Sequence, residues 1–145
     1  MERTYIEDKK FEKINFAETV LVAGEYENCE FSNCNFSNTN LSGISFAECV
    51  FSGCNLSTAK LGKTAFKDVK FKDCKLTGLH FHDCNEFLFE VNFDNCQLHL
   101  SSFYKMKLKN TFFNNSILHE TDFSEADLTA AVFDHCDLDR AIFDN

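Results

Sequence analysis

The chain has 145 residues, with 23 Asp and Glu against 14 Lys and Arg and a formal net charge of -9, a balance that disfavours nonspecific binding to nucleic acid or anionic membrane. No apolar run approaches the ~18 residues a spanning helix needs, and the opening MERTYIEDKKFEKINF lacks the apolar core of a signal peptide, so the cytoplasm is the expected compartment and no membrane partner is expected. Phe occurs 18 times while Pro and Trp are absent, which means that position, not bulk hydrophobicity, selects Phe.

In chain order, residues 1–8 precede the regular pattern and read as a leader or cap. From Phe11 to Phe81 a large residue then stands at every fifth position, fifteen in succession: nine Phe, five Leu and Tyr26. A period of five fits neither the 3.6 of a helix nor a long strand, in which alternate residues share a face. It does fit a short extended segment followed by a turn, with the central residue and the residue two before it pointing inward.

Columns of like residues give the number of sides. Phe11, Phe31, Phe51 and Phe71 are twenty apart, as are Leu21, Leu41 and Leu61, and Cys34 falls under Cys54 and Cys74. Twenty residues per turn means four sides.

Twelve residues separate Phe81 from Phe93, two more than two repeats. If these two bulge from the fourth side, within residues 82–92, the columns resume: Phe71 continues to Phe93, Phe113 and Phe133, and the cysteine column passes through Cys96, Ser116 and Cys136. A second run of eleven central residues, alternating Phe and Leu, then reaches Phe143. The expectation is one domain over 1–145, an all-β solenoid of about seven coils. At the strand spacing of about 4.8 Å it would be roughly 34 Å long. Each buried Phe or Leu contributes on the order of 1.5 to 3 kcal/mol before entropy, so no disulfide framework is required.

Segments such as CNFSN, TNLSG, CNLST, TDFSE and ADLTA carry the order small, Asn or Asp, Leu or Phe, Ser or Thr, any. That motif resembles the pentapeptide-repeat proteins over residues 9–145 apart from the bulge. The resemblance implies a right-handed quadrilateral β-helix. Its quinolone-resistance, Qnr-like branch further implies a DNA mimic that binds DNA gyrase or topoisomerase IV and gives quinolone protection. The alternative is a structural or interaction scaffold with an unrelated protein partner.

The residues that could carry chemistry are mostly absorbed by the repeat. All eight cysteines sit at the small inward position and read as buried free thiols, small hydrophobes rather than ligands. His80 and His82 alternate around inward Phe81 and share an outer face, but they are two ligands only, and the period places Asp83 poorly to complete them; no metal site is assigned. No Ser, His and carboxylate set and no Gly-rich phosphate loop stands out, so no catalytic residue and no cofactor is expected, and the chain is read as a non-enzyme.

The outward positions are less uniform. Lys60, Lys63, Lys67, Lys70, Lys72 and Lys75 make the middle locally basic, followed by Lys105, Lys107 and Lys109. From Glu120 onward the balance reverses, and Glu120, Asp122, Glu125, Asp127, Asp134, Asp137 and Asp139 are candidates for docking on a basic groove, such as that of a type II topoisomerase. Phe87 and Phe89 in the bulge and stacked Phe112 and Val132 break the polar rule and are candidates for a protein contact. Phe89 has a second option, to turn inward and plug the interrupted column. A homodimer through the C-terminal half is a further expectation, and direct nucleic-acid binding is not.

Overall fold

A computed structural model describes residues 3–144. Its strands are β1 (Thr4–Glu7), β2 (Lys10–Glu12), β3 (Gly24–Glu27), β4 (Glu30–Ser32), β5 (Ser45–Ala47), β6 (Val50–Ser52), β7 (Ala65–Lys67), β8 (Val69–Lys72), β9 (Val91–Asp94), β10 (Phe112–Asn114) and β11 (Val132–Asp134). Every strand pairing is parallel. Seven strands stack in the order β11-β10-β9-β8-β6-β4-β2 to make the first side, and β1-β3-β5-β7 make part of the fourth. The second and third sides are ladders of single parallel bridges, such as Asn35 to Asn55 and Asn40 to Lys60. The chain is therefore an all-β solenoid of about seven coils, as its period implies.

The twenty-residue register holds residue by residue. Phe31 pairs with Phe51 and Phe51 with Phe71. Across the insertion the step is twenty-two, Phe71 to Phe93, and twenty returns with Phe93 to Phe113. Coil spacing brings like rings into stacks: centroids are 4.8 Å apart for Phe11 and Phe31, 4.8 Å for Phe31 and Phe51, and 5.1 Å for Phe51 and Phe71. Rings on adjoining sides meet edge to face, as Phe31 does with Phe36 and Phe46. Both arrangements suit the aromatic quadrupole.

Most sides end in a corner that turns through the left-handed region, as at Asn28, Asn33, Asn38, Gly43, Glu48 and Gly53. Asn and Gly tolerate this conformation and explain the composition between the central residues. The Asn or Asp before many central residues has a matching task. Its side-chain oxygen accepts the backbone N–H two residues on, as from Ser37 to Asn35, Ser57 to Asn55 and Ser124 to Asp122, and so closes an Asx turn. Gly24 answers a different need, since a Cβ there would lie 2.3 Å from the carbonyl oxygen of Thr4.

Two regions depart from the plain repeat. Within residues 1–8, read above as a leader or cap, β1 forms a fourth side, with Ile6 paired to Tyr26 and packed against the core. Met1 and Glu2 lie outside the described residues. The insertion also costs the fourth side its continuity, because β7 pairs only with β5 below it. The third side ends in a 3-10 turn, Phe81–Asp83, and above β7 an irregular stretch to Glu90 takes over. The stretch is tied down by Asn85 N–H to Thr64 O at 2.9 Å and Glu90 N–H to Phe66 O at 3.0 Å, so the backbone stays satisfied where the strand is lost.

The register makes a direct prediction. Phe51 is fully buried between Phe31 and Phe71, so Phe51→Asp should cost more than about 4 kcal/mol by burying an unpaired charge. Ser52→Asp, on the outer face beside Lys72, should stay within about 0.5 kcal/mol of the parent. Urea melts of the two variants check this, and equal destabilisation would refute the register.

Candidate functional site

The cysteines belong to the scaffold. Seven are buried and Cys136 is half-buried, and all are free thiols. Each ladder thiol donates to the carbonyl of a central residue one coil below: Cys54 to Phe31 O at 3.2 Å, Cys74 to Phe51 O at 3.2 Å, and Cys96 to Phe71 O at 3.2 Å. Thr64 and Thr121 do the same to Leu41 O and Leu98 O, both at 2.8 Å. The small inward position therefore selects a compact residue with a weak or strong donor, a signal present in the Cys, Ser and Thr composition but easily taken for reactivity. Burial pushes the Cys49 thiol up to about 12 and the Cys84 thiol upward too. Cys74 is raised by its hydrogen bonds to Cys54 and Cys96, with burial adding to them.

The charged residues form bands around the rod rather than stripes along it, because one coil passes through all four sides. Lys70 and Lys72 lie on the first side in β8, Lys75 on the second and Lys60 on the third, and Lys67 on the fourth in β7. None of these lysines has a carboxylate within 4 Å among the described residues, where the Lys and Arg ion pairs are Lys10 with Glu30 and Arg140 with Glu120. Against Asp68 and Asp73 of the same stretch, the lysines form a net positive girdle.

The acidic candidates are distributed in the same way. Asp134 is on the first side, and Asp137, Asp122 and Asp127 are on the second, third and fourth. Three of them have tasks that their charge did not reveal. Asp122 and Asp137 close Asx turns to Ser124 and Asp139, and Asp127 accepts from both the backbone and the hydroxyl of Thr129. Those Thr129 bonds, aided by Lys109 and Lys107, hold the Asp127 carboxyl below the ordinary range. Asp137 is lowered first by His119, whose Nε2 lies 2.7 Å away. Glu120, Glu125 and Asp139 remain as outward charges with no turn built on their carboxylates, Glu120 being paired with Arg140.

The apolar exceptions divide. Phe89 points inward, its ring edge-on to Phe66 at 6.5 Å and to Phe81 at 6.4 Å; it plugs the interrupted fourth column and leaves the set of surface candidates. Phe87 projects outward, 68% exposed, with Lys67 Nζ 5.9 Å from its ring centre. Leu88, which the period did not single out, is 62% exposed beside it and turns through the left-handed region.

Phe112 and Val132 stack on the first side in register, both exposed. A groove of ≈ 650 Å³ lined by Leu88, Phe89, Asn92, Lys67 and Lys109 adjoins, at Asn92, a depression of ≈ 420 Å³ lined by Val50, Lys70 and Phe112. The insertion and the stacked pair thus border one continuous surface over the corner between the fourth and first sides. Leu100, also exposed, lies away from it on a corner.

The buried thiols predict two measurements. Ellman's reagent should react first with Cys136 and reach the other seven only on unfolding, since those are buried. Because the Cys49 thiol ionises near 12 when folded and near 9 when unfolded, its contribution is complete at neutral pH and is lost as the pH rises between those values. Melting temperature should therefore fall above about pH 9, and less so in Cys49→Ala, a comparison made by calorimetry at pH 7 and 10.

The pentapeptide repeat region model matches residues 24–86, and the model for pentapeptide repeats in eight copies matches residues 107–145. No curated protein matches the sequence. Among solved structures, the chain is similar to full-length QnrB1, a plasmid-mediated fluoroquinolone resistance protein, at 22% identity and a TM-score of 0.43, covering 98% of this chain and 87% of that one. It is also similar to HetL, a protein involved in heterocyst differentiation regulation from the cyanobacterium Nostoc sp. strain PCC 7120, at 14% identity and a TM-score of 0.44, covering 95% and 89%. A third is Rfr23 of the cyanobacterium Cyanothece 51142, at 16% identity and a TM-score of 0.29, covering 97% and 88%. With the four-sided register in place and the two models together spanning well over half of the sequence, the chain belongs to the pentapeptide-repeat family.

Proposed function

We propose that this chain is a non-catalytic protein-binding solenoid that docks a partner over the corner between its fourth and first sides. The observation that carries this reading is the outward apolar set Phe87, Leu88, Phe112 and Val132. Leu88 and Phe112 line the two adjoining depressions, Phe87 lies against Lys67 of the first, and Val132 pairs with Phe112; exposed apolar surface of this kind marks interaction sites. The lining of the larger depression sets Lys67 and Lys109 against Glu27, Glu48, Asp68 and Glu90, a mixed charge pattern that would orient an approaching protein. The free thiols fit a reducing cytoplasm, and no helix among the described residues is long and apolar enough to cross a membrane. A homodimer through the C-terminal half falls within the same reading, because exposed Phe112 and Val132 of this surface lie in that half.

A photo-crosslinking residue at position 112 should yield a discrete protein adduct, and the same residue at position 52 should yield none. An adduct of twice the chain mass identifies a second copy as the occupant. Equal labelling at both positions would sink the proposed face.

A second reading, a DNA mimic engaging DNA gyrase or topoisomerase IV with quinolone protection, is favoured by the ring of Glu120, Asp122, Glu125, Asp127, Asp134, Asp137 and Asp139. The lysine girdle interrupts that charge, whereas duplex DNA is negative along its whole length. Gyrase supercoiling, assayed with and without a quinolone at rising salt, distinguishes the two. On the mimic reading an effect is lost steeply with salt and in Glu120→Gln/Glu125→Gln/Asp139→Asn. On the apolar reading it survives moderate salt and is lost in Phe112→Ser. No effect at micromolar protein removes topoisomerase as the partner.

A further inference from the structure

We infer that His80, His82 and Asp83 form a binding site for one divalent transition-metal ion of the Zn²⁺ class. Regular five-residue spacing would carry Asp83 away around the corner, but the chain leaves the repeat here and closes the 3-10 turn Phe81–Asp83, with Asp83 N–H donating to His80 O at 3.1 Å. The turn brings the carboxylate back to the two imidazoles. Asp83 Oδ2 lies 4.0 Å from His80 Nδ1, and Oδ1 lies 3.5 Å from His82 Nε2. The three ligand atoms all fall within 4.8 Å of one another.

Ligands at about 2.0 to 2.2 Å from a tetrahedral Zn²⁺ stand roughly 3.3 Å apart. The two imidazoles stack with centroids 5.2 Å apart, so closing the set takes rotation of both rings toward the carboxylate. The backbone beneath them need not move. Phe81, between the two histidines, is fully buried and stacks on Phe103 at 4.7 Å, Cys84 is buried, and Asp83 O accepts from Lys63 N–H at 2.8 Å.

The donor chemistry narrows the ion. Two imidazoles and one carboxylate suit Zn²⁺, Co²⁺, Ni²⁺ or Cu²⁺, whereas Ca²⁺ and Mg²⁺ want oxygen shells. Among the described residues no Lys or Arg lies within 4 Å of Asp83, whose carboxylate faces the two imidazoles. The outer side is open, so water or a partner's side chain would complete the coordination. Bound metal would clamp the turn that leads into the insertion, joining the irregular segment to the third side.

Titration of the full chain with Co²⁺ in a non-chelating buffer, followed by absorbance, tests this. Saturable binding of one ion with a nitrogen and oxygen ligand spectrum is expected. Asp83→Asn should weaken it by more than about tenfold, a loss at least as large as that for outer-shell partners, and His80→Ala/His82→Ala should weaken it further. Unchanged circular dichroism melts without metal confirm that these surface variants fold. Absence of saturable binding, unchanged affinity in His80→Ala/His82→Ala, or a sulfur-to-cobalt charge-transfer band placing the ion on cysteine would overturn the assignment.

Discussion

Parallel, in-register stacking of one coil on the next is the constraint from which the rest of this protein follows. The hydrogen bonds of the first side run between coils, and the spacing they impose, about 4.8 Å, is also a good distance for offset aromatic stacking. A large apolar residue at the same place in every coil therefore satisfies backbone and core together. A residue out of place would disturb both at once, which is why the fifth-position pattern runs from Phe11 to Phe143 with only one interruption.

That constraint consumes side chains that would otherwise suggest chemistry. The thiols of Cys54, Cys74 and Cys96 are spent on carbonyls of the coil below, and the carboxylates of Asp122 and Asp137 close turns. It also converts local sequence charge into axial bands. Six lysines within sixteen residues look like a patch in the linear chain, yet they encircle the rod because sixteen residues traverse nearly a full turn. A band presents one charge to a partner on every side, and it limits how far an acidic surface can run along the axis.

The freedom left for function lies where stacking lapses. The two added residues end the fourth-side sheet at β7, turn Phe89 inward as a plug and push Phe87 and Leu88 outward. The same departure from the repeat folds Asp83 back toward His80 and His82. One insertion thus creates part of an apolar surface on one side and a ligand cluster on the adjoining side, without disturbing the first-side column, which only lengthens its step from twenty to twenty-two.

The sequence by itself determined the four-sided solenoid, the columns, the inward cysteines and the location of the bulge, because a repeat locked to backbone pairing leaves a strict linear trace. It also singled out Phe112 and Val132, since both violate that trace at a twenty-residue interval. Tertiary structure alone decided that Phe89 is a plug while Leu88 is exposed, that residues 4–7 are a paired strand, and that Asp83 joins the histidines. These outcomes depend on where an irregular segment finds hydrogen-bond partners on neighbouring coils, such as Thr64 and Phe66. Outside the repeat no period records that choice, so only the packed chain reveals it.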